Sequence, residues 1–357
     1  MDSDSVGAKE VFICGGGHQG LSMAAHLSIC GLNVRLWNRT PAHIAEVKKT
    51  GDVCCSGIIN GIGHLKKVSS NISDVISDFI MVTTPSNAHK EIAKMLAPFV
   101  NKNMVIILNP GRTFGAIEFA HTLKECGVSE LPHIAETQTI IYTCRKYSEN
   151  CAQIFALKND VEIASIGKND LEYIISRIPM CIRKYFKPVK STVITSLSNV
   201  GMILHCAPVL MNIGWIENKK TAFKYYYDGI TPSIASFLEK MDHEKISVAK
   251  ALGYEIETTE TWLKRTYNVD GHGLYECLKN TKQYRAIDAP ETIHHRYIIE
   301  DVPCGLVPVE DAAIQCGVST KNITSIIDLA SAVTEIDFRS MGRKFIPEVR
   351  CKMKLNS

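Results

Sequence analysis

Three glycines that follow a hydrophobic run at residues 11–14 restrict the fold of this chain more than any other feature of its sequence. Gly15, Gly17 and Gly20 have G-x-G-x-x-G spacing, and the residues after them have the apolar periodicity of a helix. In a strand–turn–helix unit, the first glycine permits a tight turn, the second lets the backbone approach a diphosphate, and the third lets the helix pack on the strand. The motif alone also occurs in ordinary glycine-rich turns.

The sequence around the glycines favours the diphosphate interpretation. A second strand is predicted at residues 33–37, at the distance that a β–α–β unit requires. The helix N-terminus would then point its unpaired backbone N–H groups at the diphosphate. We therefore predict a dinucleotide site whose phosphate contacts come from five residues of the turn: Gly15, Gly17, His18, Gln19 and Gly20.

The residues after the second strand bear on the choice of cofactor. An NAD(H) site usually has Asp or Glu there to bind the ribose 2′-hydroxyl, whereas this chain has Asn38, Arg39 and Thr40. Without a carboxylate to repel it, a 2′-phosphate could be bound by the Arg39 guanidinium and the two polar side chains. We predict NADP(H), with NAD(H) as the alternative, in which Arg39 only points into solvent.

Further predicted strands continue the α/β alternation, among them residues 78–85 and 104–111. In an open parallel sheet, ligands bind beyond the carboxyl ends of the strands. We therefore expect Thr84, Pro85 and Asn109 to contact the cofactor.

The pattern changes along the chain and predicts two domains. Two β-like runs at residues 152–168 are typical of an antiparallel hairpin at the sheet edge. After Pro188 the periodicity becomes helical, with long helices predicted at 193–212, 233–252, 307–317 and 320–335. The predicted fold is α/β: residues 1–188 form an N-terminal Rossmann-type dinucleotide-binding domain, and residues 189–357 form a mainly α-helical C-terminal domain.

Composition argues against several classes of function. The formal net charge is only +3 and the basic residues are scattered, so we expect no nucleic-acid partner and no membrane-surface patch. No apolar run is expected to be long enough to span a bilayer. The 13 cysteines include no C-x-x-C pair, which is typical of reduced thiols in a cytoplasmic protein without a metal site. The expected partners are small molecules.

Two groups of residues in the helical domain could carry chemistry. His205 is the only side chain on the apolar segment 198–205 that titrates near neutral pH. Arg296 and Asp301 belong to a polar run at residues 294–303 that precedes a predicted helix. Taken by themselves, a histidine on an apolar helix is more often part of the core, and the polar run is more often a solvated helix start.

Together these motifs resemble those of the opine dehydrogenase family, which comprises the octopine and nopaline dehydrogenases and synthases, over nearly the full length of the chain. The most specific similarities are the segment 295–306 and the Ser198-Asn199 pair ahead of His205. Supporting similarities are the Glu136-Thr137 pair with residues 142–145 behind it, the turn at 109–112, and Trp262.

The resemblance implies a role for each matching residue. His205 corresponds to the family's catalytic histidine and Asp301 to the aspartate paired with it. Arg296 corresponds to the arginine that helps to hold a substrate carboxylate, and Thr137 to a threonine of the substrate pocket. Trp262 is a further candidate for substrate binding.

One position departs from the family pattern. Arg112 stands where the family has small or amide side chains, so the substrate carries an additional anion or Arg112 is a surface loop residue. The implied reaction joins the amino group of an amino acid to a 2-oxo acid, such as pyruvate or 2-oxoglutarate, through an imine that NAD(P)H reduces.

Two alternatives stay open at this stage: a related two-domain reductase of a simple 2-oxo or 2-hydroxy acid, and an NAD(P)-binding sensor without turnover. A homodimer is one candidate assembly.

Overall fold

The computed structural model describes residues 7–167, 169–218 and 221–347. The chain forms two compact units: one runs to Thr195 and includes the described end of the chain from Ile346, and the other spans Ser196–Phe345. The first is α/β and the second is helical, so the predicted fold class is confirmed. The predicted domain boundary after residue 188 follows the last strand, whereas the division between the compact units comes at Thr195.

The first unit contains two sheets, whose strands are β1 (Glu10–Cys14), β2 (Asn33–Trp37), β3 (Asp52–Gly57), β4 (Gly61–His64), β5 (Lys67–Ser69), β6 (Phe79–Val82), β7 (Val105–Leu108), β8 (His133–Thr137), β9 (Tyr142–Lys146), β10 (Cys151–Leu157), β11 (Val161–Ser165) and β12 (Phe186–Pro188). The larger sheet has the order β12-β11-β8-β7-β6-β1-β2-β5, and the smaller has the order β4-β3-β10-β9. In the larger sheet only the pair β11 and β8 is antiparallel.

The central strand β1 shows why the hydrophobic run is continuous. Val11 and Ile13 belong to one buried cluster, and Phe12 and Cys14 belong to another. Successive side chains of a strand point to opposite faces of the sheet, so both faces of β1 are covered. This burial fixes the strand whose carboxyl end leads into the glycine turn.

The predicted hairpin at residues 152–168 was wrong. β10 pairs antiparallel with β9 and parallel with β3 in the smaller sheet, whereas β11 pairs with β8 and β12 in the larger one. Between β10 and β11, Asp160 has a left-handed backbone (φ 54°). The chain there passes from one sheet to the other instead of turning back on itself, which period-2 patterning alone cannot distinguish.

The helices of the first unit are α1 (His18–Ile29), α2 (Ala45–Thr50), α3 (His89–Leu96), α4 (Gly115–Glu125), α5 (Asp170–Arg177), α6 (Met180–Arg183) and α7 (Thr192–Leu197), the last of which ends just inside the second unit. The helices of the second unit are α8 (Gly201–Met211), α9 (Ile213–Ile216), α10 (Pro232–Ala251), α11 (Thr259–Tyr267), α12 (Gly273–Asn280), α13 (Arg296–Ile299), α14 (Val307–Cys316), α15 (Lys321–Thr334) and α16 (Phe338–Met341).

Three of the four long helices were predicted correctly, and the fourth, at 193–212, is divided into α7 and α8. Between them, the Asn199 side chain accepts the N–H of Gly201, the first residue of α8, at 3.0 Å. By length and composition alone, Thr192–Met211 could cross a membrane, contrary to the expectation that no such run occurs. In the most apolar 18-residue stretch of this segment, 89% is buried inside the protein, as in a core helix.

Candidate active site

The glycine turn between β1 and α1 has the geometry that the motif predicts. Gly15 has φ 122°, which side-chain-bearing residues rarely adopt. A Cβ on Gly20 would lie 1.7 Å from the Gly15 carbonyl oxygen, so the third glycine is required for packing. A Cβ on Gly17 would meet no described heavy atom within 4 Å, so the turn is open where a diphosphate would approach the α1 N-terminus.

The end of β2 is tied to this turn by Asn38. Its Oδ1 accepts the Gly16 N–H at 3.0 Å, and its Nδ2 donates to the Thr40 carbonyl at 2.9 Å. Asn38 is therefore already engaged with the backbone, which favours a positioning role over direct phosphate binding. Arg39 is exposed and makes no ion pair with any described residue, so its guanidinium is available for an anion.

Two buried polar atoms at the carboxyl ends of β6 and β7 fit the cofactor expected there. Thr84 Oγ1 and Asn109 Oδ1 are buried, and neither has a hydrogen-bond partner among the described residues. The Asn109 amide is oriented by its own Nδ2, which donates to the Ile107 carbonyl at 2.9 Å. Buried polar atoms normally have partners, so both atoms keep unused hydrogen-bonding capacity at the strand ends, and their contact with the cofactor stays a prediction. Pro85, next in the chain, is exposed.

At the end of β8, Glu136 and Thr137 are both buried, but they face different partners. The Glu136 carboxylate accepts the Ala116 N–H at 2.8 Å and the Thr195 hydroxyl at 2.7 Å, so it anchors the start of α4. The Thr137 hydroxyl donates to the Leu108 carbonyl at 3.2 Å, and its oxygen keeps capacity to accept. The substrate-pocket role predicted for Thr137 stays a prediction.

Arg112 lies close enough to Lys158 for its charge to act on that side chain. It is half-buried in a left-handed backbone conformation, with φ 60°. Burial, with a contribution from the Arg112 charge, lowers the pKa of Lys158 to about 8. The Lys158 ammonium donates to the Ile140 carbonyl at 3.2 Å. A left-handed conformation held at a charged, half-buried residue fits a functional role better than that of a surface loop.

In the second unit the structure brings together the two residues that lie 96 positions apart in sequence. His205 Nδ1 lies 2.7 Å from Asp301 Oδ2, and the Asp301 side chain is only 1% exposed. An ionised carboxylate only accepts hydrogen bonds, so Nδ1 carries the hydrogen and Nε2 of the neutral ring keeps a lone pair. This is the arrangement of a histidine held in one tautomer by a carboxylate.

Two tyrosines also contact His205, and neither was predicted to lie at the dyad. The Tyr226 hydroxyl lies 3.2 Å from His205 Nε2, and the Tyr297 ring stacks on the imidazole with centroids 3.8 Å apart. Burial raises the pKa of Tyr226 well above its ordinary value, so it remains a protonated donor. The run of three tyrosines at 225–227 was the sequence signal for Tyr226.

Arg296 does not belong to the buried pair. Its side chain is 54% exposed and forms an ion pair of 3.1 Å with Glu300, the residue that caps the C-terminus of α13. An exposed guanidinium can still bind a carboxylate, but Glu300 competes for it. His295 precedes Arg296 in the chain. Burial lowers the pKa of His295, and the charges of Arg296 and His205 lower it further. A second imidazole close to the dyad is therefore kept neutral.

Trp262, the remaining predicted substrate residue, is only 6% exposed. Its ring packs edge-on against Tyr267 at 5.6 Å, and Tyr267 packs in the same way against Tyr284. Tyr284 in turn stacks on Tyr226, with centroids 4.2 Å apart. An aromatic chain therefore joins Trp262 to the tyrosine that contacts His205.

Known proteins resemble both units of the chain. Residues 188–334 match a family model described as NAD/NADP octopine/nopaline dehydrogenase, alpha-helical domain, and residues 11–115 match ketopantoate reductase PanE/ApbA. The chain is 32% identical over 339 residues to the opine dehydrogenase of Arthrobacter sp. (strain 1C), with 94% of each chain covered. The chain belongs to the opine dehydrogenase family.

More distant relatives of the opine dehydrogenase family share the full fold. The octopine dehydrogenase of Pecten maximus is 24% identical and matches 70% of this chain and 68% of its own. An octopine dehydrogenase structure described with NADH and L-arginine has a TM-score of 0.76 at 18% identity, covering 92% of this chain and 91% of that one. A yersinopine dehydrogenase structure described as NADP+-bound has a TM-score of 0.76 at 11% identity, covering 99% and 96%.

Membership in the opine dehydrogenase family decides the class of reaction. The protein is an NAD(P)-dependent oxidoreductase that acts on CH–NH bonds, and it catalyses reductive condensation of an amino acid with a keto acid. Both NADP(H) and NAD(H) are cofactors found in the family. The alternative of a sensor without turnover is thereby excluded.

Proposed function

We propose that this opine dehydrogenase uses His205 as its acid–base residue and Asp301 to orient and charge-stabilise it. The observation that carries the proposal is the buried 2.7 Å contact between His205 Nδ1 and Asp301 Oδ2. A side chain that titrates near neutral pH can both take and give a proton. The carboxylate favours the imidazolium that exists between those two steps.

Condensation requires one proton to be removed and one to be returned. His205 Nε2 takes a proton from the amino acid's ammonium group, and the free amine then attacks the carbonyl carbon of the oxo acid. Attack leaves a proton on nitrogen that passes to the alkoxide oxygen and gives a carbinolamine. The imidazolium then protonates the carbinolamine hydroxyl, so that the C–O bond breaks and water leaves as the protonated imine forms. The Tyr226 hydroxyl, 3.2 Å from Nε2, gives up this contact when the ammonium group reaches the imidazole. NAD(P)H, when bound, supplies the hydride that reduces the imine.

Residues of the first unit would hold the cofactor. The glycine turn and the α1 N-terminus receive the diphosphate, while Thr84 Oγ1 and Asn109 Oδ1 supply hydrogen-bonding atoms at the strand ends. We assign NADP(H) as the preferred cofactor because Arg39 is exposed and available to a 2′-phosphate. The related yersinopine dehydrogenase is described with NADP+.

The substrates follow from the relatives and from the charged residues. Octopine dehydrogenase structures are described with pyruvate and with L-arginine, so pyruvate and an amino acid are the first pair to test here. We propose that Arg296 leaves its ion pair with Glu300 and binds the oxo-acid carboxylate instead. The positive charges of Arg112 and Lys158 favour a substrate with an additional carboxylate, such as 2-oxoglutarate or an acidic amino acid.

A substrate panel tests the proposed function. Oxidation of NADPH and NADH would be followed with pyruvate or 2-oxoglutarate, each with and without a set of amino acids. Turnover that depends on both an oxo acid and an amino acid is the expected result. Reduction of the oxo acid alone, at the same rate without any amine, would instead identify a simple 2-oxo acid reductase.

A further inference from the structure

Three potential metal ligands meet at the end of α1 that is remote from the glycine turn. His26 lies in the last turn of α1, Cys30 caps that helix, and Cys181 comes from α6. One ligand atom from each of the three lies within 4.8 Å of the others. No metal site was expected from the sequence, because Cys181 is far from the other two residues and no C-x-x-C pair occurs.

We propose that His26, Cys30 and Cys181 form a zinc-binding site of the cofactor-binding unit. A tetrahedral zinc ion with Zn–S bonds of about 2.3 Å spaces its ligand atoms by roughly 3.8 Å. The three atoms therefore need to close by about 1 Å or less to bind the ion. His26 and Cys30 are four residues apart, so they lie on the same side of α1.

The chemistry of the three ligands selects the metal. One imidazole and two thiolates are soft to borderline donors, which favour zinc over magnesium or calcium. His26 is buried, Cys181 is half-buried and Cys30 is exposed, so the ion has a path from solvent and a fourth position for water.

A metal-binding histidine usually makes a hydrogen bond through its other ring nitrogen, and Tyr142 offers His26 that contact. Its buried hydroxyl lies 3.1 Å from His26 Nδ1. If Nδ1–H donates to that oxygen, Nε2 is the nitrogen left for the ion, and the ring is held in the orientation that ligation requires. Zinc bound in this way would fasten the C-terminal end of α1 to α6.

The test uses the full-length protein, Zn²⁺ and the spectroscopic substitute Co²⁺. We expect the reduced protein to bind one Zn²⁺ at this site and to show a sulfur-to-cobalt charge-transfer band with Co²⁺. Cys30→Ser should abolish the band and weaken zinc binding by more than about 100-fold. Tyr142→Phe should weaken it by about 10- to 100-fold. Cys126→Ser is the matched control, because Cys126 is also an exposed helix C-cap.

Three results would overturn the proposal. The first is wild-type protein without a charge-transfer band. The second is a band of equal strength in Cys30→Ser and Cys126→Ser, which would place the cobalt on other thiols. The third is rapid formation of a Cys30–Cys181 disulfide in air that added zinc does not slow. Circular dichroism of both serine variants checks that each one folds.

Discussion

Replacing Asp301 with Asn tests the dyad without changing the size of the side chain. The carboxylate accepts from His205 Nδ1 at 2.7 Å, and it is almost fully buried. A hydrogen bond to a charged group contributes about 1.5–3 kcal/mol, which corresponds to a loss of roughly 10- to 150-fold. An amide N–H pointing at Nδ1 would also shift the hydrogen to Nε2 and remove the base. We therefore expect kcat to fall by about 10²–10⁴-fold.

The assay is the initial rate of NAD(P)H oxidation at saturating oxo acid and amino acid. The Kd for reduced cofactor, measured by fluorescence, should stay within about twofold of wild type. Asp311→Asn is the matched control, since Asp311 lies in the same unit and its carboxylate accepts the Phe345 N–H at 2.7 Å. A folded Asp301→Asn enzyme with wild-type kcat would refute the reasoning.

Three further variants test other parts of the account. Arg39→Ala should weaken NADPH by roughly ten- to a hundredfold and NADH hardly at all, because it removes a charge-assisted bond to the 2′-phosphate. Arg296→Lys keeps the charge but loses the planar fork, so the KM for the oxo acid should rise more than that for the amino acid. Although burial opposes it, hydrogen bonds from Arg339 and Thr324 lower the pKa of Glu310 below 4.5. The ionised Glu310 carboxylate therefore stabilises the folded protein above pH 4.5, and this stabilisation is lost as pH falls through the folded-state pKa. Glu310→Gln should lower the free energy of unfolding by about 1–3 kcal/mol at neutral pH and by progressively less in acid.

Each of these has a contrary result. Equal losses of NADPH and NADH affinity would make Arg39 structural. A raised KM for the amino acid alone would move the carboxylate clamp from Arg296 to Arg112. A difference in urea midpoint between wild type and Glu310→Gln that stays constant from pH 7 to pH 3 would show that the Glu310 charge does not contribute.

Patterns that depend on neighbours in sequence predicted the fold well. The continuous apolar run of β1 and the glycines at 15, 17 and 20 specify a strand, a turn and a helix by sterics alone. The hairpin at 152–168 failed because alternation shows that a segment is a strand but not which sheet it joins. The division at Asn199 was missed because it depends on one side-chain hydrogen bond to Gly201.

Only part of the candidate site could be predicted from the sequence. His205 and Asp301 were paired through the family resemblance, since no spacing rule links residues 96 positions apart. Tyr226 and Tyr297 could not be placed, because aromatic residues in a helical domain most often belong to the core. The ion pair of Arg296 with Glu300 could have been predicted from their i, i+4 spacing, and it was missed.

The central claim is that His205 moves the protons of the condensation. The most direct test is the kcat of His205→Ala, measured with saturating substrates beside the Kd for NAD(P)H. The account predicts that kcat falls by on the order of 10²–10⁴-fold while the Kd is unchanged. A folded His205→Ala enzyme that turns over at the wild-type rate would contradict it.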